Sequence, residues 1–64
     1  MADREDITTA RRVKALRTRL GLTQRGMEER YGIPYRTIQN WEAGVSSPPQ
    51  YVLRMLEELA SKNA

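Results

Sequence analysis

Between Leu22 and Trp41 the chain reads LTQRGMEERYGIPYRTIQNW, in which Gly32, Ile33 and Pro34 divide two short segments of helical spacing. Glycine can turn left-handed at no steric cost, while proline fixes φ and removes a backbone donor, so one continuous helix across this point is disfavoured. The stretch is therefore expected to fold as two short helices joined by a tight turn. Helices this short are marginal alone, so the remaining segments must cover their apolar faces.

The flanking sequence supplies such segments. Ile7, Ala10, Val13, Leu16 and Leu20 recur at three or four residues, which predicts a first helix over about residues 7–20, capped by Asp6 or Thr8 and ended by Gly21. In the second helix, about 24–31, Thr23 is the expected N-cap, accepting from Gly26 or Met27, and Leu22 is the staple. Met27 and Tyr31 face inward there. Gly26 inside this helix costs on the order of 1 kcal/mol against alanine, so either packing overrides propensity or a neighbour needs the space. The third helix, from 34 or 35 to 42, begins with Pro34 at its first position and turns Ile38 and Trp41 inward.

Ala43 to Pro49 is a loop with Gly44 as C-cap, and Ser47 with Pro48 or Pro49 predicts the start of a fourth helix over about 49–61. Val52, Met55, Leu56 and Leu59 form its main apolar stripe, and Tyr51, Leu53 and Ala60 widen it. That surplus either caps a small core or hints at a partner surface. Residues 1–6 and 62–64 lack apolar anchors and are expected to be flexible, leaving 7–61 as one folded domain.

Composition narrows the function. A chain of 64 residues has room for one small core. With no cysteine and no histidine it has no disulfide and no usual zinc site, and it lacks the commonest nucleophile and general base. An enzyme is not expected, nor is a cofactor or a metal. No apolar run approaches the roughly 20 residues that span a bilayer, and the start MADRED is not a signal peptide, so a soluble, cytoplasmic protein is expected, with no membrane partner. Residues 7–36 carry eight basic side chains against Glu28 and Glu29, a net of +6, although the whole chain is only +3. Such a bias fits a face that binds a polyanion, or else a solvated helix face.

Opposite Ile38 and Trp41, the third helix displays Tyr35, Arg36, Gln39 and Asn40, long hydrogen-bonding groups and one aromatic with no acid among them. A merely solvated helix would more often carry lysine and glutamate there.

Several of these elements stand at fixed spacing: LRTRLGLTQ (16–24), Gly32-Ile33 in the turn, Thr37-Ile38, and Trp41-Glu42-Ala43-Gly44. Together they resemble the helix-turn-helix domains of the Cro/C1 (XRE-like) family of DNA-binding repressors, over about residues 10–60. The resemblance implies an all-α, lambda-repressor-like domain of four helices, or five. It implies a transcriptional regulator, a repressor or autoregulator of a small operon, with a DNA-binding antitoxin that also sequesters a toxin as the alternative. The partner would be a double-stranded operator, an inverted repeat bound by a homodimer through the fourth helix and the C-terminal end.

The same resemblance assigns residues. Tyr35, Arg36 and Asn40, with Gln39 next, would read bases in the major groove, Arg36 at guanine O6 and N7 and Asn40 at adenine N6 and N7. Gln24 would hold a phosphate with the helix N-terminus around Thr23, and Arg25, Thr37 and Ser46 would add backbone contacts; Ser47 is better read as a cap. Arg17 and Glu42 would form a partly buried ion pair fixing the third helix to the scaffold, so Arg17 would not touch DNA. Two departures stand out: Glu28 where the family usually has alanine, and Gly26 before it. Glu28 would hold the second and third helices farther apart with its carboxylate at the edge, or pair with a nearby arginine.

Overall fold

The structure, a computed structural model, describes residues 4–62, with side chains from Thr8 to Lys62. Among these residues the regular elements are helices alone: α1 (Arg4–Arg19), α2 (Gln24–Tyr31), α3 (Tyr35–Ala43) and α4 (Gln50–Lys62). α1 packs on α3 and α4, and α2 packs on α3. The expectations for residues 1–3 and 63–64 lie outside the described residues.

Every helix contributes to one core. Leu16 of α1, Met27 of α2, Ile38 of α3, and Leu56 and Ala60 of α4 form it, with Leu20, Tyr31, Ile33 and Val52 packed around them. Val13, Met27 and Ile38 are fully buried, as their spacing predicts. Burying such a side chain contributes roughly 1.5–3 kcal/mol, which is how short helices become stable together.

Three boundaries and one face differ from the sequence expectation. α1 starts at Arg4 instead of residue 7, so residues 6 and 8 lie inside it and not at its cap. Apolar spacing begins only at Ile7 and cannot register a first turn that carries no apolar residue. Pro34 is not helical: with φ −55° and ψ 136° it is the N-cap of α3, its carbonyl accepting from the N–H of Ile38. Pro49 likewise precedes α4, its carbonyl accepting from Val52 and Leu53, so α4 begins at Gln50. On α4, Met55, expected in the main apolar stripe, is 51% exposed, while Ala60, expected only at its widened edge, is 1% exposed and in the core. Leu56 and Ala60 turn into the core together, and the same rotation of α4 leaves Met55 on the outward side with Tyr51.

The turns use the glycines that the sequence marks. Gly32 and Gly44 close α2 and α3 in the left-handed region, at φ 72° and 77°, where a side chain would be strained.

Candidate nucleic-acid interface

α2 starts where Thr23 accepts a hydrogen bond from the Gly26 N–H at 2.9 Å. A Cβ on Gly26 would lie 3.2 Å from that same Thr23 hydroxyl and 3.6 Å from Leu22, so the glycine leaves room for its own cap and not for another helix.

α3 has no side-chain cap of its own, because Pro34 has none to offer. Glu28 supplies one from α2, its Oε2 accepting from the Tyr35 N–H at 3.0 Å. Its other oxygen lies 3.8 Å from Arg25 Nη1. The Arg25 guanidinium in turn stands 3.9 Å above the centre of the Tyr35 ring. The departure at Glu28 thus ties α2 to α3, combining the edge position and the arginine pairing that the sequence left as alternatives.

At the other end of α3, Arg17 Nε and Nη2 donate to the two oxygens of Glu42 at 2.7 and 3.0 Å, and Nη1 donates to the Leu22 carbonyl at 2.9 Å. The side chains are only 15% and 7% exposed. The hydrogen bond that Arg17 donates to Glu42 raises the Arg17 pKa above its ordinary value, outweighing the opposing effect of burial. The pair is charged yet neutral in sum, so Glu42 presents little net negative charge to the surface. Gln24 Nε2 also donates to Glu42, at 3.2 Å, which leaves its second amide hydrogen uncommitted in this bond.

Between these two anchors α3 turns Ile38 and Trp41 into the protein. Arg36 and Gln39 are exposed, and Tyr35, Thr37 and Asn40 are half-buried. Gln24 and Gln39 line one open groove together with Lys14, Glu42 and Ala43. Lys14 at this rim was legible only as one of several basic residues on the first helix, because its outward direction toward α3 depends on helix packing. Arg12 is directed elsewhere, into an ion pair with Glu57 of α4. Thr23, Arg25 and Ser46 are exposed, Ser46 in the loop after α3. Among the described residues no helix is long and apolar enough to cross a membrane.

The arrangement presents one short helix, fixed at both ends, with polar side chains outward and cations beside it. A helix of this kind fits the width of a B-form major groove. In comparison with known proteins, a helix-turn-helix family model of the Cro/C1, XRE-like type matches residues 13–60. No curated protein and no solved structure gives a significant match.

Proposed function

The chain belongs to the Cro/C1-type helix-turn-helix family of DNA-binding regulators, and from that membership we propose that it is a sequence-specific repressor or autoregulator acting on a short operator. The observation that carries this reading is the outward face of α3, where Arg36 and Gln39 are exposed beside Tyr35 and Asn40 with no acid among them. Arg36 donates to guanine, Asn40 pairs with adenine, and Tyr35 and Gln39 complete the reading surface. Gln24, Thr23, Thr37 and Ser46 hold the phosphates on either side, and Lys14 adds charge at the same groove. The ion pair of Arg17 keeps it from DNA.

One such helix spans only a few base pairs, so the protein works as a homodimer on an inverted repeat with half-sites about 34 Å apart. The exposed Tyr51 and Met55 on α4, 68% and 51% accessible, support a contact there. The same two residues also support the second reading, an antitoxin that occupies a protein toxin through α4. Either role places the protein in the cytoplasm. Selecting bound duplexes from a random pool, with the solution mass measured alongside, tests the proposal: a palindromic motif bound by a dimer is expected. Weak binding without sequence preference would overturn it.

A further inference from the structure

We propose that Glu28 and Arg25 are positioning residues for Tyr35, holding its ring in one attitude at the start of α3 so that it discriminates at a single base position. The inference deepens the reading of α3 as a base-reading helix and rests on it.

The argument begins with an acid in an unfavourable place. Glu28 is half-exposed next to the helix that would face a polyanion, where a carboxylate repels phosphate. Both of its oxygens are nevertheless in use, one on the Tyr35 N–H at 3.0 Å and one near Arg25 at 3.8 Å. The N–H groups at a helix N-terminus otherwise attract phosphate. With that first donor occupied, the Tyr35 N–H is not offered to a phosphate, which leaves the Tyr35 side chain to the bases. Arg25 then closes the loop from above, 3.9 Å from the ring centre, covering one face of the half-buried Tyr35. A surface tyrosine without such a lid samples several rotamers. The charges of Arg25 and Glu28 largely cancel, so this pair adds shape more than counterion release.

The experiment compares Arg25→Lys, Glu28→Gln and Glu28→Ala with the parent, and uses Tyr35→Ala to identify the base position that Tyr35 reads. Position-resolved preferences come from duplex selection, and the salt dependence of binding is measured on the selected site. In the free protein, Tyr35 amide exchange is followed. Arg25→Lys keeps the charge and loses the planar lid, so preference at the Tyr35 position should fall about two- to fivefold with the salt slope unchanged. Glu28→Ala should lose the same preference and speed Tyr35 amide exchange by on the order of tenfold, while Glu28→Gln, which keeps an acceptor, restores part of both.

Unchanged preferences in all three variants overturn the proposal. A fourth variant, Arg25→Ala, overturns it as well if the salt slope falls by about one with every preference intact, since Arg25 would then be a phosphate contact. Loss of all preferences at once, with lost helicity in Glu28→Ala, would make Glu28 a purely structural residue; the milder Glu28→Gln must then still shift the one position for the inference to stand. A parent that selects no motif removes the functional reading and this inference with it, whereas a failure confined to the variants leaves that reading intact.

Discussion

Arg17 and Glu42 meet through two hydrogen bonds, of 2.7 and 3.0 Å, across 25 residues of sequence, and so join the last turn of α1 to the end of α3. Both are largely shielded from water, which strengthens their attraction and raises the penalty of separating them.

Arg17→Met is therefore expected to destabilise the fold by roughly 3–5 kcal/mol, because Glu42 stays buried without its partner. The double change Arg17→Met with Glu42→Leu should recover much of that loss. Urea unfolding followed by circular dichroism measures both, and a single-variant cost below about 1 kcal/mol would mean that the pair behaves like an exposed one. The Arg17 pKa is raised in the fold, so its contribution is full below the ordinary arginine value and fades only as pH climbs through the higher folded value. The difference between parent and Arg17→Met should accordingly stay level from neutral to moderately alkaline pH.

Arg36→Ala should weaken binding to the selected operator by about 1–3 kcal/mol and relax one base position, as removal of a base contact does. Gln24→Ala should instead weaken all duplexes alike. Titrations against the selected site and a scrambled one separate the two. Parent-like binding by both variants would contradict these roles.

Exposed Tyr51 and Met55 lead to a different measurement. Changing both to lysine should leave stability within about 0.5 kcal/mol, since neither is in the core. Sedimentation should then report a shift from dimer to monomer. If the parent is already monomeric on and off DNA, α4 is not a self-contact.

Gly26→Ala tests a smaller balance. Alanine gains up to about 1 kcal/mol of helix propensity, but its Cβ would meet the Thr23 hydroxyl at 3.2 Å. Thr23 is exposed and can shift by the few tenths of an ångström needed, so a net stabilisation smaller than that gain is expected. A lowered melting temperature would show that the cap cannot yield.

Much of this was legible from local signals. The glycines at 32 and 44, the Thr23 cap and the inward Met27, Ile38 and Trp41 follow from spacing and turn chemistry, which act over a few residues. Glu28 was visible only as a departure, because its partner is the N–H of Tyr35 on another helix, and no periodicity encodes a carboxylate reaching between elements. The rotation of α4 was hidden for a related reason. Val52, Met55, Leu56 and Ala60 all suit an apolar face, and whether Met55 or Ala60 goes inward depends on how near α1 lies. The start of α1 carried charges alone, to which apolar spacing is blind.

The two ends of α3 are held by residues that face the protein: Glu28 at the Tyr35 N–H, and Arg17 at Glu42. Between them the side chains of Arg36 and Gln39 make no hydrogen bond or ion pair with the other described residues. In the proposed reading of α3, fastening and base contact fall to separate side chains, so those that would contact bases are open to replacement. A protein built in this way could be retargeted to a new binding sequence, by mutation or by descent, without first having to be rebuilt.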